Sequence, residues 1–231
     1  MKHFLIYTAA FIVCTVIGTI SHEYGHILAA RSLGYETTLH FSSMEWDDDE
    51  LVLKLHDIYS RNENAITRDL EFEEKAMYEE LLVEYRRDNL LIQLGGPVQT
   101  MLTGSLGLFI LFFYKRNGGT EDLNYIGWLG VFLSLFWLRQ VFNLFAGIAN
   151  GIISPDRGFF GGDEAYISEM LELWPGTLPV ISGIAGSVIC GHVLFRIIPV
   201  KQRPVFISAG CTGGILGYIL WMFYLGPAVL P

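Results

Sequence analysis

Charge is what this sequence has least of. Asp, Glu, Lys and Arg make up 17% of its 231 residues, against about a quarter in a typical soluble domain. What charge there is leans acidic, with 24 Asp and Glu against 15 Lys and Arg. The acids crowd into one stretch. Asp47, Asp48, Asp49 and Glu50 are consecutive, and Glu71, Glu73, Glu74, Glu79, Glu80 and Glu84 follow. A chain without a basic face is not built to hold nucleic acid, so that partner is excluded. The acidic stretch reads as a solvated region outside a membrane. Cysteine is scarce as well. Cys14, Cys190 and Cys211 each lie inside an apolar run and form no CxxC pair, which argues against a disulfide framework or a thiolate metal site. No internal repeat is present.

What the sequence has in abundance is apolar runs. Hydrophobic residues make up 52% of it, mean hydropathy is +0.40, and several runs reach the roughly 20 residues a helix needs to cross a bilayer. The expected fold is an all-α polytopic membrane protein of about five transmembrane helices. A small extramembrane segment, a β-hairpin and a helix, follows the first of them. The first span is expected over residues 4–33. Its opening, FLIYTAAFIVCTVIGTI, is apolar all round, and its close, SHEYGHILAARSLG, is polar on one face, with Gly34 as the helix stop. This run continues into a motif rather than into a small-residue cleavage site, so it reads as a retained membrane helix and not a leader.

The remaining organisation follows in order. TTLHFSSMEW and ELVLKLHDI are β-prone and roughly alternating, which predicts a hairpin over residues 37–56 with Asp47-Asp48-Asp49 as its turn. Residues 63–89 have the pattern of an amphipathic helix outside the hydrocarbon. The second span, 90–114, is interrupted early by Gly95-Gly96-Pro97. The third, 125–149, carries Arg139, Gln140 and Asn143, which should face protein or water rather than lipid. A loop over 150–162, a short helix over 163–173, and fourth and fifth spans over 177–198 and 205–225 complete the chain. Four units result: 1–35, 36–89, 90–176 and 177–231. Irregular backbone at membrane depth needs protein or a water-filled cavity to satisfy it, so the Gly-Gly-Pro break and the 150–162 loop are candidate cavity walls.

The chemistry is concentrated in His22-Glu23-Tyr24-Gly25-His26. Histidines four apart on a helix project from one face and can grip one metal ion. Zinc lowers the pKa of a water it holds to about 7, and Glu23 beside it can take the proton. A catalytic zinc usually takes a third protein ligand and leaves a fourth position for water. No further histidine stands in the metzincin position. His40, His56 and His192 read as ordinary strand or core residues rather than as ligands but stay open as candidates, and Asp156 and Asp163 are the acidic candidates.

The chain resembles the site-2 protease family of intramembrane metalloproteases. That family carries HExxH on one membrane helix, Gly-Pro on the next and Asn…Asp-Gly around the third. Here HEYGH at 22–26, LGGPVQTMLTG with Gly96-Pro97, and FNLFAGIANGIISPDRGFFGGDEAYI stand in that order, covering residues 4–170. The third motif departs from the pattern, with Ala146 where Pro is expected and Asp163 followed by Glu164 rather than Gly. The resemblance implies zinc held by His22, His26 and Asp163, with Asp156 the fallback. Glu23 is then the general base, and either Asn143 or Asn150 helps to hold substrate. Gly96 and Pro97 let backbone approach the site. The hairpin is similar to the family's membrane-associated β-element, whose edge can pair with an extended substrate.

The implied function is cleavage of a membrane-anchored protein within or beside its transmembrane segment, in a multi-pass protein of the cell membrane. Access is then controlled by the hairpin or by a regulatory partner on residues 36–89. The rival readings are a catalytically silent relative that binds membrane helices as a regulator, and a metal transporter. The transporter would need polar residues on several helices, and the last two spans are nearly free of them. Orientation stays open. Lys2, Lys115, Arg116, Lys201 and Arg203 fall on one side, which the positive-inside rule makes cytoplasmic, while the resemblance puts the zinc nearer the cytosol, at the other end of the first helix.

Overall fold

The structure, a computed structural model, describes residues 1–47, 49–119, 123–154 and 159–230. Among them, five helical segments are long and apolar enough to cross a membrane: Lys2–Ser32, Lys75–Arg116, Tyr125–Ile153, Thr177–Ile197 and Val200–Val229. Their outward faces carry large apolar side chains such as Leu5, Val13, Leu106 and Phe109, as a lipid-facing surface requires. All the expected spans are present. The first, α1 (Lys2–Ser32), ends where Gly34 adopts φ +96°. Gly34 N–H then donates to Arg31 O and Tyr35 N–H to Ala30 O. This paired closure depends on a glycine-type conformation just beyond the helix end.

A hairpin is present, but it lies wholly within the first predicted strand and turns at residues 40–43 rather than at the acidic run. β1 (Thr37–Leu39) pairs antiparallel with β2 (Met44–Trp46), Thr37 opposite Trp46 and Leu39 opposite Met44. The predicted second strand is instead helical: α2 spans Asp49–Thr67. Leu51, Leu55 and the buried Ile58 share one helix face, so the 3.6-residue period prevails over the alternation of Leu51, Leu53 and Leu55. Of the acidic run, Asp49 opens α2 rather than turning a hairpin, and Asp48 lies outside the described residues.

A second correction concerns Gly95-Gly96-Pro97. These residues do not break a helix. α3 runs unbroken over Lys75–Arg116, so much of the expected extramembrane helix and the second span are one rod with Pro97 inside it. Proline removes one backbone donor and frees the carbonyl of Gln93. The two preceding glycines are occupied by a helix crossing: a Cβ on Gly95 would lie 2.7 Å from the carbonyl carbon of Gly25, and one on Gly25 would lie 2.8 Å from that of Gly95. The backbones of α1 and α3 therefore touch, which small residues at membrane interfaces permit.

The third span is α4 (Tyr125–Ser134), a 3₁₀ turn over Leu135–Trp137, and α5 (Leu138–Ile153). Asn124 caps α4 by accepting from the N–H groups of Ile126 and Gly127, both at 3.1 Å. The helix continues past the predicted end of this span, and residues 155–158 of the expected loop lie outside the described residues. Gly162, at φ +82°, sets the entry to α6 (Asp163–Met170). α7 (Thr177–His192) continues as a π-helical turn to Ile197. α8 (Arg203–Leu220) continues through a second such turn into α9 (Gly226–Val229). This carboxy-terminal run clasps the hairpin. Trp221 Nε1–H donates to Phe41 O at 2.7 Å, and Phe41 N–H donates to Leu230 O at 3.1 Å.

Candidate metal centre

One cluster among the described residues could hold a metal ion: His22, His26 and Asp163. His22 and His26 project from the polar end of α1, and Asp163 is delivered by the first turn of α6. His22 Nε2 lies 2.7 Å from Asp163 Oδ2, His26 Nε2 lies 3.6 Å from the same oxygen, and the two Nε2 atoms are 3.3 Å apart. His22 is 1% exposed and His26 6%. Of the two aspartates weighed from the sequence, Asp163 joins the histidines, and Asp156 lies outside the described residues.

The surrounding bonds decide which nitrogen of each ring is free. His26 Nδ1 lies 2.7 Å from the carbonyl of Ile92. A carbonyl can only accept, so Nδ1 carries the proton and Nε2 presents a lone pair. His22 Nδ1 lies 2.9 Å from Thr100 Oγ1, whose own proton goes to Gly96 O at 3.1 Å. That hydroxyl therefore accepts from His22, and this network again leaves Nε2 with a lone pair. Two nitrogen lone pairs and a carboxylate oxygen face one another, an arrangement that needs a cation or protons at its centre. Tetrahedral zinc with bonds of about 2.0–2.2 Å sets ligand atoms about 3.3–3.6 Å apart. Two of the three separations match, and the third is shorter. Where protons rather than a cation fill that centre, the imidazoles donate to Asp163: burial favours its protonated form, but their hydrogen bonds and charge outweigh this and hold its carboxyl well below the usual carboxylate range.

α3 supplies the wall behind this cluster. A Cβ on Gly96 would lie 2.6 Å from His22 Nε2 and closer still to His26 Nε2. Only glycine leaves room for both rings. Pro97 is buried one residue on, in the unbroken helix. The three groups open on a cavity of about 280 Å³ lined also by Glu23, Gln93, Arg139 and, from the hairpin, Ser42, Ser43, Met44 and Trp46. Glu23 is 8% exposed.

The remaining candidates are placed elsewhere. Asn143 Nδ2 donates to Glu164 Oε2 at 3.0 Å, joining α5 to α6 beside Asp163 and not lining the cavity. Asn150 is exposed in the last turn of α5. His56 and His192 are exposed, and His40 lies 3.6 Å from Glu45 on the hairpin. Sequence reasoning missed Thr100, the Ile92 carbonyl and Glu164. Thr100 had one usable signal, since it stands one helical turn beyond Gly96 on the same face. Neither a family model, nor a curated protein, nor a solved structure matches the chain.

Proposed function

We propose that the chain is an intramembrane zinc metalloprotease of the site-2 protease type. It hydrolyses a peptide bond of a membrane-anchored protein within or beside that protein's transmembrane segment. The observation that carries this reading is the convergence of His22 Nε2, His26 Nε2 and an Asp163 oxygen at the wall of a cavity that also holds Glu23. His22, His26 and Asp163 would hold the zinc. When bound, zinc supplies Lewis acidity, making a water acidic enough to ionise near neutral pH.

The chain's own residues do the rest. Glu23 accepts the water's proton as the water oxygen bonds to the scissile carbonyl carbon. It then returns a proton to the amide nitrogen as the C–N bond breaks, which leaves a carboxylic acid and an amine. Thr100 and the Ile92 carbonyl hold the two imidazoles in the tautomer a metal needs. Gly96 and the glycine crossing keep α3 close behind them. The hairpin residues Ser42 to Met44 border the cavity and suit an extended substrate or a regulatory partner on residues 36–89. One observation favours the silent-relative reading: Asn143 is engaged with Glu164 rather than lining the cavity.

Replacing Glu23 with Gln separates the two. Terminal peptides arising inside membrane spans should appear in cells with the wild type and vanish with Glu23→Gln, while zinc content stays unchanged. The same peptides from both proteins, each zinc-loaded, would remove the protease reading.

A further inference from the structure

Arg139 is a cation that the metal centre as described does not use. It stands in the first turn of α5, just beyond the 3₁₀ turn Leu135–Trp137. Its neighbour Gln140 is fully buried and tied to α7, Gln140 Oε1 accepting from Ser182 Oγ at 3.1 Å. The backbone that carries Arg139 is thus anchored from behind. The side chain lines the same cavity as Glu23, His22, His26 and Asp163. Its Nε is buried and has no hydrogen-bond partner among the described residues, and no carboxylate among them lies within ion-pair distance.

A guanidinium at membrane depth without a counter-ion is costly unless something it meets in the cavity is negative. The carboxylates nearest the cavity are already committed, Asp163 to the imidazoles and Glu23 to the proton. The other lining groups, Ser42, Ser43, Gln93, Met44 and Trp46, are neutral. Among the described residues, none supplies an anion to Arg139 next to the place where water attacks.

We propose that Arg139 is a catalytic residue that donates hydrogen bonds to the scissile carbonyl oxygen as that oxygen becomes negative. As the water oxygen bonds to the carbonyl carbon, the π pair of C=O moves onto oxygen. Arg139 stabilises that charge while keeping all its protons. The pair returns to re-form C=O when the C–N bond breaks. This rests on the protease reading, because it requires the attack to occur at the His22–His26–Asp163 centre.

The test uses cobalt(II) as the metal and inorganic phosphate as a tetrahedral anion, in the full-length protein in detergent. Visible absorption of bound cobalt reports both metal uptake and phosphate binding. Wild type should bind phosphate about tenfold or more tightly than Arg139→Gln. Arg139→Lys should fall between, since lysine keeps the charge and loses the planar fork. Imidazole, a neutral ligand for the metal, should bind all three alike. Equal phosphate affinity in wild type and Arg139→Gln, with imidazole unchanged, overturns the proposal. Loss of cobalt uptake in both variants overturns it too, because Arg139 would then hold the site together. Failure of the wild type itself to take up cobalt is a different result, which strikes the protease reading beneath it.

Discussion

The two ends of α1 are held against their neighbours in opposite ways. Near its start, Tyr7 is 4% exposed and its ring lies 4.9 Å from Trp128 and 5.4 Å from Phe206. Phe11 stands 5.4 Å from Phe132 and 5.1 Å from Phe206, and the Tyr7 hydroxyl donates to Gln202. Large rings with adjustable rotamers fill that end. At the other end Gly25 meets Gly95 backbone to backbone, and Gly96 lies under the imidazoles of His22 and His26. Between Gly25 and Gly95 there is no side chain that can turn to adjust. Ring packing holds helices together through many small contacts and tolerates change. Glycine packing fixes a distance, here the one between α3 and the face of α1 that bears His22 and His26.

That contrast can be broken most severely at Gly96. Gly96→Ala places a methyl group 2.6 Å from His22 Nε2. Zinc uptake should be lost while the helical circular dichroism is retained; metal analysis of purified protein checks it, and unchanged zinc would mean that the helices separate easily. Thr100→Val should act less strongly. It keeps the shape and removes the hydroxyl that orients His22, so zinc affinity measured against a competing chelator should fall about 10–100-fold. Phe206→Ala should leave zinc affinity alone and lower thermal stability. Soluble cores lose about 3–5 kcal/mol for such a change, but lipid is as apolar as the ring it replaces, so about 1–2 kcal/mol from lost packing is expected. A loss of zinc in Phe206→Ala would show that the two ends are not independent. The smallest effect belongs to Trp221→Phe, which removes the bond to Phe41 O. About 1 kcal/mol of local stability should go, visible as faster proteolysis at the hairpin turn with zinc unchanged.

The spans and the grouping of His22, His26 and Asp163 were legible for different reasons. Long apolar runs announce membrane helices without any knowledge of neighbours. His22 and His26 carry their relation within one helix, and Asp163 stands in the third of the motifs that carry the family resemblance. The strand expected after Asp49 was misread because Leu51, Leu53 and Leu55 fit a period of two as well as Leu51, Leu55 and Ile58 fit a helix. Gly95-Gly96-Pro97 was expected to break α3 because the local rule for such residues is a break. The opposing Gly25, seventy residues away in sequence, makes the same residues a helix crossing. Thr100 and the Ile92 carbonyl were invisible, because their meaning depends on which face of α3 meets α1. Asn143 was legible as a polar residue with a task, but its partner, Glu164, belongs to a helix whose docking no local pattern specifies.

The central claim is that His22, His26 and Asp163 form one metal site. Zinc per molecule in carefully purified protein tests it directly, with His22→Ala and Asp163→Ala beside the wild type and Phe206→Ala as the control from the opposite end of α1. The account predicts about one zinc in the wild type and in Phe206→Ala, and a large loss in the other two. A wild type without zinc, or an Asp163→Ala protein that holds as much as the wild type, would contradict it.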